Sequence, residues 1–296
     1  MKRGNKPEKN VVAILTGDWH LREDQPVCRE DNHWDAQWQM VDWFCKLQKK
    51  YNVPIIHSGD VFDHWKPSPR LLGKTISCMP EQFYTVAGNH DLPQHNVELY
   101  EKCGLHVLEE AGTVNILWNG YWLQDPEEVM CPINIGGVSL AVWHVMVWNG
   151  NTPPWPGCTD LSVDQMLAIL PDEIDVLLTG HNHKSFQASA DGKIVLNPGS
   201  PTIQSAAQIG EPRYAYLLCR TGGKITIDSL LIPEFGALYS TQHLDQKKEK
   251  DARYEAFISQ LKMEGELELD FEANLERYFQ QNKVKRNVRQ LVMDYL

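Results

Sequence analysis

Short apolar runs punctuate the chain, and most end in a polar turn that contains glycine. Val11–Leu15 leads into TGDWH, Val53–Ile56 into HSGD, Phe83–Val86 into AGNHD, Val138–Trp143 into His144, and Ile174–Leu178 into TGHNH. Runs of this length bounded by turns read as buried strands. Between them, Trp34, Trp38, Val41 and Cys45 share one face at helical spacing, and Leu161–Leu170 predicts a second helix, closed by Pro171. Strands alternating with helices indicate an α/β class. Farther on the pattern becomes strand-rich. ILWNGYWL (116–123) carries an Asn-Gly hairpin signal, FQASADGKIVL (186–196) an Asp-Gly, and YLLCRTGGKITI (216–227) a Gly-Gly. Hairpins added to βα units predict a mixed sandwich flanked by helices.

After about Pro233 the chain turns to charged, helix-forming residues. Tyr254, Phe257, Ile258 and Leu261 have helical spacing, as do Phe271, Leu275, Tyr278 and Phe279, and then Val284, Val288, Leu291, Val292 and Tyr295. The expected organisation is a main domain over residues 1–233 and a small helical appendage over 234–296.

A chain of 296 residues is long enough to bury a full core. Its formal charge is −11, from 28 Lys+Arg against 39 Asp+Glu. Phosphate contacts need Lys and Arg, so such a chain grips nucleic acid poorly by itself, while an acidic pocket filled by cations remains compatible with it. The seven cysteines are dispersed, with no C-x-x-C, which points to reduced thiols in the cytoplasm. Residues 1–10 are basic, but the five apolar residues that follow are too few for a signal-peptide core, and no stretch is long enough to span a bilayer.

The strand ends carry the chemistry. Asp18 and His20 follow the first strand, Asp60 the second, Asn89 and His90 the third, His144 the next, and His181 and His183 the last. Sites in α/β sheets assemble at the carboxyl ends of strands, so these side chains are expected to converge. Oxygen and imidazole ligands without cysteine argue against a structural zinc knot. They suit a borderline or moderately hard divalent ion, manganese first, with iron, zinc or magnesium as alternatives. The ligands are too many for one tetrahedral ion and about enough for two. Asp60 is the candidate bridge, since one carboxylate can hold two cations about 3.5–4 Å apart, and such a pair activates water against a phosphorus whose oxygens it holds. His90 sits beside a ligand and is the candidate catalytic residue, stabilising the pentacoordinate phosphorus or protonating the leaving alkoxide.

In this order the residues resemble the calcineurin-like metallophosphoesterase superfamily. Its pattern of D-x-H, G-D, G-N-H-D/E, a lone H and G-H-x-H is matched by Asp18/His20, Gly59-Asp60, Gly88-Asn89-His90-Asp91, His144 and Gly180-His181-Asn182-His183, over roughly residues 11–232. Within it, GDVFDHWKPSPR, GNHDLP and LNPGSPTIQSAAQIGEPRYAYL are similar to the SbcD-type double-strand-break repair nucleases, phage-encoded members most of all. The resemblance implies a four-layer α/β/β/α sandwich with two ion sites, one of Asp18, His20, Asp60 and His183, the other of Asp60, Asn89, His144 and His181. It further implies 3′-to-5′ exonuclease and endonuclease action on DNA in recombination and repair, a homodimer, and an SMC-like (SbcC-type) ATPase partner docking on the segments after the main domain. One departure is visible. Where some members carry a second histidine three residues after the bridging Asp, this chain has Asp63, followed by His64. Either Asp63 is a supporting carboxylate or His64 takes over part of that histidine's role, and the former is favoured.

Other residues have milder readings. Asp91 caps the following segment or buttresses His90. Lys66 and Arg70 either touch a DNA phosphate or lie on a solvated loop. His33, His57, His95, His106 and His243 are expected to be structural. Trp34 and Trp38 are expected in core or dimer packing, and Gly199 in a turn. Two other functions stay open: a phosphatase or phosphodiesterase of small phosphoesters or nucleotides, and a metal-free binding scaffold, against which the intact ligand set counts.

Overall fold

The computed structural model describes residues 10–125, 132–263 and 271–293; residues 1–9 and Tyr295 lie outside the described residues. The strands are β1 (Asn10–Thr16), β2 (Ile55–His57), β3 (Phe83–Thr85), β4 (Asn115–Ile116), β5 (Ile133–Ile135), β6 (Val138–Trp143) and β7 (Val147–Trp148). They continue with β8 (Leu161–Ser162), β9 (Val176–Thr179), β10 (Phe186–Ala190), β11 (Lys193–Asn197), β12 (Tyr214–Thr221) and β13 (Lys224–Leu231). The first four helices are α1 (His33–Tyr51), α2 (Pro69–Cys78), α3 (Gly104–Glu110) and α4 (Val163–Ile169).

Two sheets dominate, ordered β13-β12-β1-β2-β3-β4 and β10-β11-β9-β6-β5. The period-two alternation of side chains assigns each residue to a layer. Ala13, Leu15, Ile56, Tyr216 and Leu218 of the first sheet face Val138, Leu140, Val142, Val176, Leu178, Ile194 and Leu196 of the second, forming one core between the sheets. Ile14, Ile55, Leu217 and Cys219 face the other way, onto Met40, Val41, Phe44, Leu71 and Leu105 of α1, α2 and α3. Ala141, Trp143, Leu177 and Val195 face outward onto Val163, Met166 and Leu167 of α4. The result is helices, sheet, sheet, helix: four layers, with the central strands buried on both faces as parallel strands require.

The helices start where local chemistry directs. Asn32 caps α1 by accepting the Asp35 N–H, Lys49 and Lys50 sit in its last turn, and Asn52 ends it in the left-handed region. Ser162 and Gln165 form a capping box at α4, so that helix begins two residues later than the apolar spacing predicts. Burial on α1 centres on Met40, Phe44 and Leu47, and the Trp34, Trp38 and Cys45 stripe lies at its flank, partly buried. The Asp-Gly and Gly-Gly hairpins form as β10–β11 and β12–β13. The Asn-Gly hairpin does not. β4 pairs in parallel with β3, and Gly120 instead meets β6, with φ 106° and no room for a Cβ against the Val142 carbonyl.

Two compact units divide the chain, Met1–Ser240 and Thr241–Leu296. Residues 238–240 belong with the first, bonded to Cys28, Glu30 and Asp31. The second contains α5 (Gln242–Met263), α6 (Phe271–Gln281) and α7 (Arg286–Met293). Within it Phe279 is buried, and Arg289 donates to the carbonyls of Phe279 and Val284. Tyr254, Phe257, Ile258, Phe271, Val288 and Leu291 are exposed.

Candidate metal centre

The register of the sheets brings the motifs together. Thr16, His57 and Thr85 stand side by side at the ends of β1, β2 and β3, and Trp143 pairs with Thr179 at the ends of β6 and β9. Each motif residue follows within a few positions. Asp18, His20, Asp60 and His181 all take positive φ, between 45° and 69°. Non-glycine residues in this region are strained by roughly 1 kcal/mol or more each, and such strain persists where the surroundings over-determine it. Here the loops after β1 and β2 tie each other: Asp18 N–H to the Gly59 carbonyl at 3.0 Å and His20 N–H to the Asp60 carbonyl at 3.0 Å.

The side chains fall into groups. Ligand atoms of Asp18, His20 and His183 lie within 4.8 Å of one another, and so do those of Asp60, His144 and His181. His20 Nε2 and His183 Nε2 are 3.0 Å apart. Asn89 Oδ1 is 3.0 Å from His144 Nε2 and 2.9 Å from His181 Nδ1. Between the groups lies Asp60, whose Oδ2 is 3.6 Å from His20 Nε2 and 3.3 Å from His144 Nε2. Its other oxygen accepts the His90 N–H at 2.8 Å.

These residues fit divalent cations. Among the described residues, Asp18 Oδ2 and Asp60 Oδ2 are buried oxygens without a hydrogen-bond partner, and a buried orphan carboxylate oxygen is costly unless something positive meets it. His144 donates through Nδ1 to the Ser58 carbonyl at 2.7 Å, which leaves Nε2 as the ligating nitrogen. Burial and the charge on Asp60 push the Asp18 carboxyl up to about 7, against the pull of His144. Burial opposes a charge on His144, but Asp60 raises it to about 9. Burial likewise opposes ionisation of Asp60, yet His144, His20 and His90 hold its carboxyl well below the usual range. Burial brings His181 down to about 4 and His183 to about 3, with the charges on His144 and His20 adding, so both stay neutral with free lone pairs. Two inward carboxylates, with the neutral imidazoles of His181 and His183 beside them, make a donor set for cations.

The supporting residues are placed as follows. His90 donates through Nδ1 to the Asp63 carbonyl at 2.6 Å, and its ring stands perpendicular to that of His20, 4.7 Å away. Asp63 Oδ1 faces His20 Nδ1 at 3.5 Å and Arg22 Nη1 at 3.1 Å. His64 is exposed and accepts the Lys66 N–H, outside the cluster. Asp91 caps no helix. Its carboxylate accepts the N–H groups of Val61, Phe62 and Gly88, which locks the loop bearing Asn89 and His90 to the loop bearing Asp60. Lys66 is exposed, while the Arg70 guanidinium lies 4.2 Å over the Trp34 ring and 3.7 Å from Glu23.

Several neighbours support the ligands without matching a motif position. His95 donates to the Asn89 carbonyl at 2.8 Å. Asn197 Nδ2 holds the carbonyls of Asn182 and Lys184 on either side of His183. Gly199 is more than a turn residue: its φ is 68° and a Cβ would lie 2.6 Å from the His183 carbonyl oxygen. Trp122 covers the ring of His181 at 4.4 Å. Each acts through the backbone or a ring face, which motif spacing does not encode.

A curated relative, the DNA double-strand break repair protein Mre11 of Thermoplasma acidophilum, is 27% identical over 125 residues. The match spans 38% of this chain and 29% of the relative, so this chain covers under a third of that protein's length. A solved structure described as a novel archaeal phosphodiesterase covers 74% of this chain and 98% of its own at 14% identity, with a TM-score of 0.42. A Vps29 mutant from Entamoeba histolytica covers 75% and 99% at 16% identity, with a TM-score of 0.37. Residues 15–222 match the family described as the calcineurin-like phosphoesterase superfamily domain, a span that encloses every candidate ligand. The chain therefore belongs to the calcineurin-like phosphoesterase superfamily.

Proposed function

We propose that this protein is a phosphodiesterase that uses two divalent cations, manganese first among them, to cut DNA. The observation that carries the reading is Asp60 Oδ2, buried, unpartnered among the described residues and facing both histidine groups. Asp18, His20, Asp60 and His183 would hold one cation, and Asp60, Asn89, His144 and His181 the other. When bound, the pair supplies Lewis-acid polarisation of the phosphoryl oxygens and a lowered pKa for a water at the site. The chain's own part begins with orientation. Ser58 fixes the tautomer of His144, Asp63 faces the outer nitrogen of His20, and Asp91 keeps the Asp60 and Asn89 loops in register. His90 has its Nδ1–H committed to Asp63, so Nε2 is the nitrogen available to the substrate. A protonated Nε2 can donate to a phosphoryl oxygen or to the departing alkoxide, a contribution typically of about 10²–10⁴ in rate.

DNA as substrate is supported by the similarity to Mre11 and by the SbcD-like stretches around Asp60 and Asn89. The 3′-to-5′ polarity, the endonuclease action and the homodimer rest on that resemblance alone. The charge of −11 makes an independent grip on DNA weak, so an SMC-like ATPase partner that supplies DNA affinity fits the reading. The exposed apolar residues of α5, α6 and α7 suit helix-in-groove docking with that partner. The rival is a phosphodiesterase of small phosphoesters or nucleotides. A manganese-supplemented assay comparing labelled DNA with a small chromogenic phosphodiester separates them. Cleavage of both, with DNA cutting raised by the ATPase, supports the nuclease. Turnover of the small ester alone supports the rival.

A further inference from the structure

One face of His181 is covered by an indole. The ring centre of Trp122 lies 4.4 Å from that of His181 with the planes 33° apart, and 5.8 Å from that of His144. The first contact is tilted and the second edge-on, both close enough for an aromatic pair. The segment bearing Trp122 is pinned on two sides. Its N–H donates to the Ala87 carbonyl at 3.0 Å, and the Gly120 carbonyl accepts the His144 N–H at 2.8 Å. Gly120 donates its own N–H to the side chain of Gln124, and a Cβ at Gly120 would come 1.7 Å from the Val142 carbonyl oxygen. Trp122 is thus fixed to the ends of β3 and β6, the strands that lead to Asn89 and His144.

The His181 ring lacks the second hydrogen bond that holds His144. Ligating histidines are ordinarily held by a hydrogen bond at the second ring nitrogen. His144 has the Ser58 carbonyl at 2.7 Å, while His20 Nδ1 has no hydrogen-bond partner among the described residues and only faces Asp63 Oδ1, at 3.5 Å. Among the described residues His181 makes no hydrogen bond through Nε2, and its Nδ1 faces only Asn89 Oδ1, at 2.9 Å. As ligands, Nδ1 and Oδ1 would both turn lone pairs toward one cation, and their mutual contact would become repulsive. The backbone of His181 is set by its N–H to Asp18 Oδ1 at 2.9 Å, but that bond does not set the ring.

We propose that Trp122 is a positioning residue: its tilted ring contact holds the His181 imidazole in the orientation that completes the cation site of Asp60, Asn89 and His144. The role rests on the two-cation reading. The test uses the full chain and manganese alone. Trp122→Ala, Trp122→Leu and Trp122→Phe are titrated calorimetrically, and their electron paramagnetic resonance is recorded for the coupling that two ions on one carboxylate produce. Wild type and Trp122→Phe are expected to bind two coupled ions. Trp122→Ala and Trp122→Leu are expected to lose roughly 10–100-fold in affinity at one site and to show a single uncoupled ion where wild type is saturated. Two coupled ions in Trp122→Leu, within about twofold of wild-type affinity, would overturn the role. Loss of fold in both Ala and Leu variants, followed by circular dichroism, would overturn it too, since the indole would then be a packing residue. A wild-type protein that takes up fewer than two ions removes the two-cation reading itself, and the role with it.

Discussion

Asp60 has two oxygens with different employment, and that division makes it the residue on which the site turns. Oδ1 is spent on the His90 N–H, while Oδ2 stands between His20 and His144. Asp60→Asn would replace part of the only carboxylate shared by both groups among the described residues. Calorimetric manganese titration of that variant is expected to lose tight binding of both ions; two ions at near-wild-type affinity would remove the bridging role. His90 differs, because its backbone N–H serves Asp60 and its ring nitrogen Nδ1 serves Asp63, so the ring is not needed to build either cation site. His90→Ala is expected to keep both ions by metal analysis while turnover falls by about 10²–10⁴. Loss of metal together with activity would instead place His90 among the ligands, with His20 and Asp63, whose ligand atoms lie within 4.8 Å of its own.

At the scale of elements, α1 carries a liability at its first turn. His33 is 1% exposed, and among the described residues neither ring nitrogen has a hydrogen-bond partner. Burial, with the charges of Arg29 and Arg22 adding against Asp31 and Asp24, lowers it from 6.5 to about 4. The helix N-terminus disfavours a cation there as well. The unfolded chain therefore binds more protons between these two values, and stability falls as pH drops from about 7 to 4, by about 3 kcal/mol at most. Urea unfolding of His33→Leu beside wild type is expected to show this share of the acid loss gone; equal pH dependence would contradict it. The strands that lead to the site were legible because each is an apolar run closed by a turn, and the ligands sit at those turns. The flank position of Trp34 and Trp38 was not legible, since spacing gives a face but not which neighbour covers it. The Asn-Gly at 119–120 misled for a related reason: glycine there answers to a close approach of β6, and a turn signal does not distinguish the two. Asn197 and Trp122 stayed hidden because their effect lies in contacts made far along the chain.

For the whole molecule, the division after Ser240 allows the proposed chemistry to be tested apart from the proposed partnership. The candidate ligands all lie in the first unit, and residues 238–240 bond to the loop at Cys28, Glu30 and Asp31. A chain ending at Ser240 is expected to retain metal binding and hydrolysis of a small phosphodiester while losing ATPase association and ATP-stimulated DNA cutting. Co-purification of the shortened chain with the ATPase would move the docking surface elsewhere. The central claim is the pair of cations that shares Asp60, and anomalous diffraction from manganese-soaked crystals tests it most directly. The expected map has two peaks about 3.5–4 Å apart, one beside Asp18, His20 and His183, the other beside Asn89, His144 and His181, with Asp60 Oδ2 between them. A single peak under saturating manganese, or two peaks with Asp60 Oδ2 bound to neither, would contradict it.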